Sequence, residues 1–165
     1  MKRSISFICC IMLVLSCISF APRASASEAE QSKAQVLINQ TVEHLEDGSM
    51  IITSVYEDVV SSRSNLYNKS GHKERAYRDA DGNILWTLTV YGEFRIIEGA
   101  SVTCSSAACS SEIYDPNWSC TRKSAAPSGN QAVANGVFER IVLGIAISRH
   151  DVNVTLSCDP YGNLY

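Results

Sequence analysis

The side chains of this 165-residue chain best suited to acid–base or metal chemistry are His44, His72 and His150, and their placement argues against both roles. No imidazole stands near a second histidine or a cysteine in sequence, and His150 directly precedes Asp151. Neighbouring residues of a strand point to opposite faces, so that pair is not a ready dyad. The chain has no Gly-x-Ser-x-Gly elbow, no His-Glu-x-x-His helix and no glycine-rich phosphate loop. Asp79-Ala80-Asp81-Gly82-Asn83 alternates oxygen ligands as a calcium loop does, but Ile84 stands where the loop needs glycine and Val90 where it needs glutamate. The segment reads as a hairpin turn. Neither a metal, a cofactor nor an identifiable catalytic residue is expected.

Seven cysteines fall into two groups. Cys9, Cys10 and Cys17 lie in a stretch with the zones of an export signal: Lys2 and Arg3, an apolar run from Ile5 to Phe20, and Ala24-Ser25-Ala26 with cleavage expected before Ser27. Ser6, Ser16, Ser19 and Pro22 interrupt the run, which argues against a permanent span. Residues 1–26 therefore read as a signal peptide, and the product as secreted or extracytoplasmic. Val14-Leu15-Ser16-Cys17 is an imperfect lipidation signal, so a lipid anchor on Cys17 is the alternative.

Cys104, Cys109, Cys120 and Cys158 remain, with four, ten and 37 residues between them. An even set in an oxidising compartment suits disulfides, and the paired C-x-x-C knuckles of zinc sites are missing. Val102 and Cys104 share one face of an expected strand, as do Val152, Val154, Leu156 and Cys158. The preferred bridge is thus Cys104 with Cys158, leaving Cys109 with Cys120, although spacing alone leaves every connectivity open. Loss of Lys2, Arg3 and Arg23 takes 14 basic residues to 11 against 17 acidic ones, moving the net charge from −3 to −6. That balance argues against electrostatic capture of nucleic acid or of an anionic membrane.

Two aromatic positions and one apolar run complete the candidates. Trp118 follows the turn-rich Tyr114-Asp115-Pro116-Asn117, so Trp118 and Tyr114 are candidate ligand-binding residues of an aromatic shelf for a sugar or peptide, with packing as the simpler role of Trp118. Trp86 belongs to an alternating apolar face and is expected in the core. Ile141-Val142-Leu143-Gly144-Ile145-Ala146-Ile147 is too short to span a bilayer as a helix and is expected as a buried strand or tight hairpin rather than a membrane-active segment.

A β-rich domain must position these residues. Residues 27–40 are polar and alanine-rich and are expected as a flexible or short helical arm. From Thr41 the hydrophobic period becomes two, and Asp47-Gly48 separates the strands of a first hairpin. Residues 57–71 suit a solvated connection. Asp81-Gly82 marks a second hairpin, whose outgoing strand alternates Ile84, Trp86, Leu88, Val90, Phe94 and Ile96 with polar residues and is interrupted by Gly92, where a bend or bulge is expected. A strand near Ala100–Ser106, a cysteine-containing loop, a strand Trp118–Ala125 and a closing pair around Gly144 follow. Residues 41–165 are therefore expected to form one all-β domain, a β-sandwich of about seven or more short antiparallel strands, favoured over a barrel.

WTLTVYGEF (Trp86–Phe94), ASVTC (Ala100–Cys104), YDPNWSC (Tyr114–Cys120), Leu143-Gly144-Ile145 and VTLSCDPYGNLY (Val154–Tyr165) together resemble a domain-of-unknown-function family of small secreted proteins from Gram-positive Firmicutes. The resemblance implies export and a β-rich domain, and brings no activity or functional residues. It implies that Cys109 and Cys120 are additions to the group's usual pair. The function expected is a non-enzymatic extracellular or cell-envelope binding module, with a cell-envelope carbohydrate or protein as partner. A secreted toxin or bacteriocin-like factor and a secreted hydrolase are the alternatives. A concave site with convergent polar groups favours the hydrolase, and a flat aromatic patch favours the binding module.

Overall fold

The computed structural model describes residues 34–59 and 64–165; the expected signal peptide, Cys17 and the first part of the arm lie outside the described residues. Eight strands follow one another: β1 (Gln35–His44), β2 (Met50–Asp58), β3 (Leu66–Arg78), β4 (Ile84–Ile97), β5 (Ser101–Ile113), β6 (Trp118–Ser128), β7 (Gln131–Val142) and β8 (Ile145–Ser157). The first five make one sheet and the last three another, each in sequence order and antiparallel throughout. Among the described residues there is no helix. Within each sheet every strand pairs with its sequence neighbour, so the turns set the register.

Two of those turns use one chemistry. Asp79-x-x-Gly82-Asn83 and Asp159-x-x-Gly162-Asn163 both lock the aspartate N–H onto the asparagine carbonyl (3.0 Å each). In both, the asparagine N–H returns to the aspartate carboxylate (2.8 Å each). Gly82 and Gly162 have φ of 87° and 86°, a conformation that only glycine adopts without steric cost. The first turn joins β3 to β4, as its composition predicts. The second folds the C-terminus back so that Cys158 bridges Leu164.

The core lies between the sheets. Trp86, Leu88, Val90, Phe94 and Ile96 of β4 are at most 1% exposed and meet Ala132, Ala134 and Phe138 of β7 and Val154 and Leu156 of β8. Phe138 stacks on Trp86 with centroids 4.0 Å apart and planes 11° apart. Small residues admit these rings. A Cβ on Gly92 would stand 2.8 Å from the Phe94 ring and 3.0 Å from Ala132, and one on Gly136 would stand 3.0 Å from Leu88 and Phe138. The irregularity expected at Gly92 falls one step later, between Glu93 and Phe94, in the pairing with β5.

Three stretches differ from their expected form. Residues 35–40 belong to β1 rather than to an arm, because Val36-Leu37-Ile38 favours an extended chain and β2 supplies a hydrogen-bonding edge. Leu66 to Gly71, expected as solvated connection, opens β3. Cys109 lies within β5, opposite Val90, rather than in a loop. In the last two cases pairing with a neighbouring strand overrides a polar or small-residue composition. The Ile141–Ile147 segment does form a tight hairpin, but every residue of it is exposed.

Candidate functional site

Trp118 and Tyr114 do not form a shelf. Trp118 opens β6 opposite Arg140, points inward and is 6% exposed, packed edge-on to Tyr77 (5.7 Å) and His150 (5.1 Å). Tyr114 stays at the surface, where its hydroxyl donates to the Glu112 carboxylate. The turn between them separates core from solvent, so packing decides the role of Trp118.

All four described cysteines are free thiols. Cys104 and Cys158 are buried in the common core, and their N–H groups are held by consecutive carbonyls, Gly129 O (2.8 Å) and Asn130 O (3.1 Å). Burial pushes both thiols up, Cys158 to about 11. Cys109 and Cys120 are half-buried on different sheets, opposite Val90 and Phe138.

A cleft of about 260 Å³ at one end of the domain gathers Asp47, Asp79, Asp115, Arg140, Tyr77 and Trp118. Three carboxylates beside an arginine suggest acid–base work, but each is committed to its own turn. Asp47 accepts from Ser49 N (3.0 Å), Asp79 from Asn83 N and Nδ2, and Asp115 from Asn117 N (2.9 Å) and Nδ2 (2.8 Å). These bonds hold Asp47 and Asp79 below the usual carboxylate range, the reverse of what a general acid needs. His150 is lowered by burial in the ring cluster, an effect that Asp47 opposes. Among the described residues no three His, Cys, Asp or Glu side chains converge to hold a metal ion.

The outer face of the five-stranded sheet carries the feature that sequence reading missed. Strand register aligns Leu37, Tyr56, His72, Tyr91 and Ala108 in one transverse row. Tyr56 stacks on His72 (4.6 Å, 13°), and Tyr91 tilts against His72 (5.5 Å, 36°). Tyr91 is 43% exposed and its hydroxyl lies 3.3 Å from Ser110 Oγ. Beside this ridge lies a depression of about 200 Å³, lined by Gly71 and Gly92 together with Asp58, Ser70, Glu93 and Ser106. Ser70 donates to Asp58 (2.7 Å). Burial holds the His72 imidazole below its ordinary value, with Asp58 opposing, so the ring stacks in its neutral form at neutral pH. No sequence signal links Tyr56, His72 and Tyr91, since the row exists only once three strands are in register.

The outer face of the second sheet has a wider depression of about 460 Å³, lined by Arg122, Ser124, Asn135, Asp151 and Asn153. Asn135 and Asn153 are bonded to each other (3.0 Å) and no aromatic ring joins them. Val137 and Val152 line it as well, but it offers no aromatic platform, whereas the Tyr91 ridge sets aromatic rings beside polar groups. Comparison with known protein families, curated proteins and solved structures finds no match, so the site is read from its own geometry.

Proposed function

We propose that the chain is an exported, non-enzymatic binding module whose outer aromatic row engages a carbohydrate of the cell envelope or the extracellular surroundings. One observation carries this reading: the Tyr56–His72–Tyr91 ridge stands beside a shallow floor edged by Asp58, Ser70, Glu93 and Ser106. A sugar ring needs an apolar surface for its C–H face and acceptors or donors for its hydroxyls, and the ridge and its edge supply both. The commitment of Asp47, Asp79 and Asp115 to turns weighs against the hydrolase. Export is supported by the charged, apolar and small-residue zones of residues 1–26. In an oxidising compartment the Cys104–Cys158 pair, tied to adjacent carbonyls, is the bridge we favour.

Retention of the purified protein on insoluble peptidoglycan, chitin and cellulose tests the ridge. Tyr91→Ala is expected to lower retention by about tenfold, a stacking loss of about 1.4 kcal/mol. Its unfolding free energy in urea should stay within about 0.5 kcal/mol of the parent, as for an exposed side chain. Equal retention of parent and variant on every matrix that binds the parent sinks the proposal.

A further inference from the structure

We propose that the tip of the β7–β8 hairpin, Ile141 to Ile147, is a docking element that enters the interfacial layer of a zwitterionic phospholipid bilayer. Leu143 is 97% exposed, Ile145 66% and Ile147 57%, and Ile141 and Val142 are exposed beside them. Successive residues of a strand face opposite ways, so a hairpin arm resting on one protein surface needs only alternate apolar residues. Here both faces are apolar. A medium that surrounds the tip accounts for this where a flat partner does not.

The turn itself points the same way. Leu143 has φ of 51°, at a place in a two-residue hairpin turn where Asn, Asp or Gly is the favoured residue. No Cβ added at the following Gly144 would meet anything within 4 Å, so the tip stands free of the rest of the chain. A leucine kept in a left-handed conformation with no packing to offset its strain is a local inconsistency of the kind found at functional sites.

Geometry and charge suit a lipid interface. Ile141 pairs with Ala146 and Val142 with Ile145, so the hairpin carries few unpaired backbone groups into a low-dielectric layer. At a rise of about 3.4 Å per residue the tip reaches roughly 10 Å beyond its collar, the depth at which interfacial elements bury. That collar holds Arg140 beside the Glu139–Arg149 ion pair, charges of both signs at the level of the phosphate and ammonium groups of a zwitterionic headgroup. The Ile141 N–H is held by Asn117 O (2.7 Å), which braces the base. A second copy of the chain is the poorer occupant, since one hairpin end falls short of the roughly 800 Å² that each partner of a stable complex buries.

The test uses the full chain carrying Leu143→Trp, mixed with vesicles of phosphatidylcholine alone or with phosphatidylglycerol. Trp86 and Trp118 are buried and give a background that lipid does not reach. The expected result is a blue shift of the new tryptophan and its quenching by brominated phosphatidylcholine, whatever residues 5–20 do in the same mixture. Adding Ile145→Asp is expected to weaken the quenched state by about a hundredfold. Leu143→Asn, which suits the turn, should fold as well as the parent and bind phosphatidylcholine vesicles less. A water-like tip emission in vesicle-bound protein overturns the proposal. So does contact restricted to anionic vesicles, or a dimer in sedimentation that Ile145→Asp dissolves.

Discussion

Raising the pH of the reduced protein through the alkaline range should expose the burial of Cys158 as a loss of stability. Its thiol has 0% accessible surface, and burial moves its ionisation from 9.0 to about 11. Between those values the unfolded chain has released the proton and the folded chain has kept it. Stability is therefore full below about pH 9 and lost as pH rises towards 11. Two units correspond to ~2.7 kcal/mol, which water entering a breathing core reduces to about 2 kcal/mol. Urea midpoints measured across this range in reductant, for the parent and for Cys158→Ala, isolate the effect from lysine and tyrosine titration. The variant starts less stable because it loses core packing, but its alkaline slope should be shallower by that amount. Oxidation that joins Cys104 to Cys158 should also remove the slope. Closing a loop of 158 − 104 = 54 residues should add about 4 kcal/mol in the chain-entropy view. Identical slopes in parent and variant would refute the assignment, and peptide mapping that joins Cys104 to Cys109 would refute the pairing.

Other consequences follow from the same packing. Phe138→Ala removes the ring stacked 4.0 Å from Trp86 and should cost about 3–5 kcal/mol in urea unfolding, because a fully buried ring leaves a cavity. Gly92→Ala forces a methyl to 2.8 Å from the Phe94 ring and should cost about 1–3 kcal/mol by overpacking, visible as a lower midpoint with an unchanged slope. Burial lowers His72 and His150, so both favour the neutral ring in the fold. Their contribution is present above pH 6.5 and is lost as pH falls through the depressed values. His72→Gln should flatten that acid limb in unfolding curves and in glycan retention alike, whereas His150→Gln should flatten it in unfolding only. Leu143→Asn should raise stability by up to about 1 kcal/mol by relieving the left-handed leucine.

Much of the fold is legible without coordinates. The alternation from Ile84 to Ile96 and the Asp-Gly turns specify where β4 lies and which side is buried, since a period of two has only two phases and one of them is apolar. Asp79-Ala80-Asp81-Gly82-Asn83 reads correctly as a turn because its bonds are local. Segments with polar or small residues read less well. Residues 107–113 look like a loop because serines and alanines dominate, yet β4 offers them an edge to pair with and they extend β5 to Ile113. Of the two forms expected for Ile141–Ile147 the tight hairpin is the one observed, and it is exposed, because apolarity shows that water is disfavoured without showing what replaces it.

Residue type and spacing alone determined a β-rich chain of sequential hairpins, an inward-facing Trp86, and the inward placement of Cys104 and Cys158. Only the tertiary structure decided that Trp118 packs while Tyr114 does not join it, that three aspartates are spent on turns, and that Tyr56, His72 and Tyr91 stand in one row. The physical reason is separation along the chain. A turn or an alternating strand is written within a few residues, whereas the row joins positions brought together by two successive strand registers. Register depends on the turn lengths and bulges of every intervening hairpin, and no local pattern of residues encodes their sum.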